Sequence, residues 1–137
     1  MKNKEVKVSK AEKVEYKNYL RKATEFYETM QDNLIKGKWN AAALNAIHAG
    51  ISANDALLVY FHGIRSSSPK HDDAVRLLVS LTKHPDAEKN AAHLRKLIAM
   101  KNIVEYESRL FTRHEAEALS KHAERFFRWV EGLLPKE

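Results

Sequence analysis

From Trp39 to Phe61 the chain carries side chains of very little bulk: Ala41, Ala42, Ala43, Ala46, Ala49, Gly50, Ser52, Ala53 and Ala56. Alanine is the strongest helix former. Helix axes separate by the size of the side chains between them, so a stripe of small residues lets neighbours come close on several sides. Such a segment is spent well only at the centre of a helical bundle. Four glycines and three prolines in 137 residues leave few of the breaks that a turn-rich β architecture needs. The expected fold is therefore all-α, an up-and-down bundle of four to five helices.

The flanking helices follow from caps and periodicity. A first helix is expected from about Ser9 to Lys36, opened by a Ser9/Glu12 capping box and closed by Gly37. Leu20, Ala23, Phe26, Tyr27, Met30 and Leu34 recur at the spacing of one helical face. The second helix ends before Gly63. A polar loop, Ile64 to Ser68, leads to Ser68-Pro69 as the cap and first position of a third helix ending before His84-Pro85. Asp86 caps a fourth helix reaching Tyr106, and a Thr112/Glu115 capping box opens a fifth reaching about Leu134. No strand, repeat or low-complexity tract is expected. Residues 1–8 read as a flexible N-terminus and residues 9–134 as one domain.

Composition narrows the function classes. The absence of cysteine excludes disulfides and thiolate metal sites. No apolar run approaches the roughly 18 residues of a membrane span, and the start Met1-Lys2-Asn3-Lys4-Glu5 leads into none. A cytoplasmic protein without a membrane association is expected. The net charge of +6 attracts polyanions, and equally serves solubility.

At 100° per residue, Asn45, His48, Ser52 and Asp55 share one polar stripe of the second helix. Ala43, Ile47, Ile51, Leu58 and Phe61 lie opposite, with Asn54 among them. The stripe reads either as a polar groove or as a solvent-facing edge. Asn54 must find partners or cost about 1–3 kcal/mol.

The run Trp39 to Leu58 resembles the alanine-rich second helix of HEPN domains, with Ile47-His48 where that family often has a tyrosine pair and Ser52 where a histidine often follows. Ser68-Pro69-Lys70-His71 is similar to the family's lysine-threonine-histidine helix start. Leu97-Ile98-Ala99-Met100-Lys101-Asn102-Ile103-Val104-Glu105-Tyr106-Glu107 resembles its leucine-arginine-asparagine-x-alanine-aspartate-tyrosine segment, and a last helix with Phe126-Phe127 completes the order. The resemblance implies a helical bundle that forms a homodimer, often beside a nucleotidyltransferase partner. HEPN nucleases pair an arginine with a histidine a few residues on and cleave RNA without metal. Histidine moves protons and arginine clamps phosphate. Here Lys101 replaces the arginine, Asn102 keeps the polar position and Tyr106 stands where the histidine would fall. Tyrosine, with a pKa of about 10, is a poor base at neutral pH. The motif thus reads as degraded, and Lys101, Asn102 and Tyr106 as a place to bind RNA, a nucleotide or a partner. The plainer alternative is a surface lysine beside a core tyrosine.

Two displaced pairs satisfy the bare spacing, Arg65 with His71 and Arg109 with His114. Through either, the chain would be a metal-independent RNA-cleaving toxin of a toxin–antitoxin system. A third possibility is a structural bundle without ligand. No metal site or cofactor is expected: the histidines lack i, i+4 partners, and no H-E-x-x-H, P-loop or dinucleotide fingerprint is present. Arg113, Lys121, Arg125 and Arg128 form a basic stripe on the last helix, interspersed with Glu115, Glu117 and Glu124.

Overall fold

The computed structural model describes residues 6–136. Helices α1 (Tyr16–Ile35), α2 (Trp39–His62), α3 (Asp72–Leu81), α4 (Ala87–Ala99), α5 (Lys101–Tyr106) and α6 (Arg113–Leu133) form an all-α bundle. α2 lies at its centre and packs against every other helix. The reason is its small residues: Ala42, Ala43, Ala46, Ala49, Ala53 and Ala56 are fully covered. At Gly50 α4 comes close, for a Cβ there would stand 2.6 Å from Leu97 Cδ1. Phe126, Ile47, Leu57, Leu58, Leu78, Leu94 and Val130 fill the shared interior. No helix of the described residues is long and apolar enough to cross a membrane.

The ends of α1 and α2 are set by Gly37 and Gly63, both left-handed with φ of 69° and 66°. A side chain with a Cβ is strained there, so each glycine stops its helix sharply. α6 begins as expected: Thr112 accepts from the Glu115 N–H at 3.1 Å, and Glu115 accepts from the Thr112 N–H at 3.0 Å. Removing the threonine oxygen leaves an N–H of the first turn unbonded. Thr112→Ala is therefore expected to cost about 1 kcal/mol in chemical denaturation, and an unchanged midpoint would show that Glu115 alone secures the turn.

Three expectations change. The first concerns the N-terminal segment. Val8–Lys10 form strand β1, which pairs antiparallel with β2 (Ile64–Ser66), Ser9 opposite Arg65. Ser9 is thus a strand residue, and the capping box belongs to Glu12 and Glu15 of a short 3-10 turn before α1. Of the expected flexible segment 1–8, residues 1–5 lie outside the described residues, while the Lys7 carbonyl accepts from the Ser67 N–H at 3.0 Å. The second change is at α3, which starts at Asp72. Ser68 instead closes a turn, accepting from the Lys70 N–H at 3.1 Å and donating to Asp73 at 2.6 Å. The third is that the expected fourth helix breaks at Met100. The Met100 N–H bonds back three residues to Leu97 at 3.1 Å, a tightened last turn that redirects the chain. The six residues beyond, α5, then lie against α2.

Candidate functional site: the α2–α5 polar cluster

The break at Met100 brings Lys101 and Glu105, one turn apart on α5, against His48 on α2. Lys101 Nζ donates to Glu105 Oε2 at 2.8 Å, and His48 Nε2 lies 3.1 Å from Glu105 Oε1. One carboxylate thus joins two basic groups from two helices. The Lys101 side chain is only 13% exposed, Glu105 18% and His48 33%, so the network is a partly covered one. The Phe26 ring of α1 lies 5.4 Å from the His48 ring and covers one side. The hydrogen bond from Lys101, and then those from His48 and Tyr106, hold the Glu105 carboxyl below its usual range against some burial.

His71, just before α3, belongs to the same field. Burial first, then the charge of Lys101, push its imidazole below the ordinary value; Glu105 opposes this and His48 adds to it. At neutral pH His71 is therefore an uncharged imidazole that can accept or donate. The cluster offers an ammonium and an imidazole on one carboxylate, with a second imidazole in the same field, a set suited to an anion that carries exchangeable protons.

The plainer alternative, a surface lysine beside a core tyrosine, is the reverse of the arrangement in the fold. Lys101 is the covered member, and Tyr106 is 76% exposed, with the lysine Nζ 5.8 Å from its ring centre. Asn102 is exposed on the next position. Glu105, which holds the cluster together, was not among the candidates the sequence offers, although its i, i+4 spacing from Lys101 is the ordinary signature of a helical ion pair.

The rest of the α2 stripe goes elsewhere. Asn45 accepts from Asn33 at 2.8 Å, and Ser52 is buried. Asp55 is buried and faces Arg65 of β2 at 3.5 Å. Burial pushes its carboxyl up to about 6, although Arg65 and Lys22 pull the other way. The Arg65 guanidinium also lies 5.4 Å from the Tyr19 ring centre, and its buried Nε has no partner among the described residues. Asn54 donates to the Ala74 carbonyl at 3.3 Å, which ties α2 to α3.

Neither displaced pair is drawn together by a contact. Arg65 is engaged with Asp55, whereas the charges acting on His71 are those of Lys101, Glu105, His48 and Asp72. Arg109 is bound to Glu115 at 2.9 Å and lies 4.7 Å from the Phe111 ring centre, while His114 is exposed. The Arg109 hydrogen bond, with the Thr112 N–H, lowers the Glu115 carboxyl to about 2. That makes Arg109 part of the cap of α6. Among the described residues no group of three or more histidine or acidic side chains is arranged to hold a metal ion.

A helical bundle wrapped around an alanine-rich central helix, with a polar cluster where a broken fourth helix returns to it, defines a class of small all-α modules. The family model for the HEPN domain matches residues 16–133, and the chain belongs to that family. Its fold is also that of TT1696 from Thermus thermophilus, a crystal structure to which it is 20% identical, with a TM-score of 0.73 over 88% of this chain and 98% of the other. A search of curated proteins gives no match.

Proposed function

We propose that this HEPN domain is a binding module whose α2–α5 cluster takes a phosphate-bearing ligand, a nucleotide or RNA. The observation that carries this reading is the sharing of Glu105 by Lys101 and His48, at 2.8 and 3.1 Å, with His71 in the same field. Lys101 holds a phosphate as a point charge, and His48 and His71 supply the directional N–H donors. Asn102 and the Tyr106 ring, both exposed on α5, meet the base or sugar. Tyrosine in place of a histidine leaves the family's nuclease motif without its proton carrier, which is why binding is the function proposed. The module works as a cytoplasmic homodimer and in company with a nucleotidyltransferase-type protein, as its family suggests. The remaining stripe residues, Asn45, Ser52 and Asp55, support α2.

The test is calorimetric titration of the protein with ATP and with a short single-stranded RNA. Lys101→Ala is expected to weaken the preferred ligand at least tenfold, since a charge-assisted contact of about 1.5–3 kcal/mol is lost. Equal affinities for the variant and the parent would remove the reading. If purified protein instead cuts RNA in chelator, and His71→Ala or His114→Ala stops it, the nuclease reading replaces this one.

A further inference from the structure

Helix α6 separates its charges. Three of its carboxylates are engaged: Glu115 holds Arg109, Glu117 lies 3.5 Å from Arg113, and Glu124 accepts from Tyr27 of α1 at 2.8 Å and lies 4.0 Å from Arg128. The charges that act on the seam between α4 and α6 are of one sign. There His122 meets His93 of α4, Nδ1 to Nδ1 at 3.0 Å, with ring centres 5.2 Å apart. The charges acting on this pair are those of Lys89 and Lys96 from α4 and Arg125 from α6. All three side chains are exposed.

Two imidazoles meeting through Nδ1 can share one proton but not carry two. When both rings are neutral, one Nδ1–H donates and the other Nδ1 accepts. Burial and the surrounding cations keep both imidazoles below their ordinary value. One added proton goes to the bare Nε2 of the donating ring, and the existing N–H···N bond becomes charge-assisted within a single cation. Each ring then keeps an Nε2–H directed away from its neighbour. What opposes that proton, besides burial, is the field of Lys89, Lys96 and Arg125. An anion seated among these cations cancels the field and bonds to the new donors.

We propose that the α4–α6 seam is a second anion site, separate from the α2–α5 cluster, for adjacent phosphates of a nucleic-acid strand or a polyphosphate chain. Lys89, Lys96 and Arg125 hold the phosphates, and the His93–His122 pair takes up a proton as they bind. Binding is consequently tighter in mild acid than at neutral pH.

The experiment titrates the full chain at low salt with inorganic tripolyphosphate and, separately, with a fluorescein-labelled single-stranded RNA, at pH 5.5 and 7.5. In the parent, affinity is expected to rise several-fold at the lower pH. Calorimetry in two buffers of different ionisation enthalpy should show net proton uptake. Lys96→Gln with Arg125→Gln, both at exposed positions, should weaken binding by roughly tenfold or more. His93→Gln with His122→Gln should lose the acid gain and the net proton uptake. The acid gain should persist in Lys101→Ala, whatever affinity that variant loses at the cluster on α5, which separates the seam from the cluster. Response to tripolyphosphate alone assigns the polyphosphate source, and response to RNA alone the nucleic acid. Absence of binding to both probes, or an acid gain that survives in the double histidine variant, would overturn the proposal.

Discussion

Asp55→Asn is expected to make the protein more stable at neutral pH. The Asp55 carboxyl titrates at about 6 in the fold, against an ordinary value of 3.8. Between those two values the folded protein holds more protons than the unfolded chain, so stability falls as pH rises through the window. Above it the fold carries an ionised carboxylate that burial disfavours more than Arg65 and Lys22 favour it. A shift of this size corresponds to as much as about 3 kcal/mol. Asparagine has the shape of the protonated acid and still offers Arg65 an acceptor. Thermal melts should show the variant well above the parent at pH 7.5, with the two converging near pH 4. A variant that melts lower at pH 7.5 would mean that the 3.5 Å pair with Arg65 outweighs the cost of covering the charge.

Gly50→Val should have an effect of similar size and opposite sign. A Cβ at Gly50 would meet Leu97 Cδ1 at 2.6 Å and Leu94 Cδ1 at 3.3 Å. Both leucines are fully covered, so neither has open space to turn into. Valine adds two further methyls where Leu94 and Leu97 of α4 pack against Gly50. Overpacking of this kind costs about 1–3 kcal/mol and occasionally more, and the upper end is expected here. The interaction can be isolated. In a double-mutant cycle with Leu97→Ala, the shortened partner should accept part of the valine, giving a coupling of about 1 kcal/mol or more. Strict additivity would place the strain somewhere other than the α2–α4 contact. A displaced α4 also moves α5, so the single variant should bind ligand at Lys101 less well even where it remains folded.

The long helices were legible because each carries its own local instructions. Thr112 and Glu115 cap α6, Gly37 and Gly63 stop α1 and α2, and the alanines of α2 announce a crowded centre. The β1–β2 pair was not legible. Its strands are three residues each, β1 is exposed throughout, and the partners are more than fifty positions apart, so no alternation marks them. The break at Met100 was hidden for a related reason: nothing in Ala99-Met100-Lys101 disfavours a helix, and only packing against α2 sets the new direction. That redirection is what covers Lys101 and exposes Tyr106. Asn45, His48, Ser52 and Asp55 share one face by helical geometry, but a helix surrounded on nearly all sides has little solvent edge. Ser52 and Asp55 are covered as a result, while His48 finds Glu105.

Lys101 and Glu105 ride on the same six-residue helix, so they travel as one unit of zero net charge whenever α5 shifts. His48 stays behind on the central helix. The quantity that registers such a shift is thus the single cross-helix link to the imidazole, at 3.1 Å. The ring of His48 becomes an internal gauge, its nitrogen resonances reporting α5's seating while the rest of the bundle stands still.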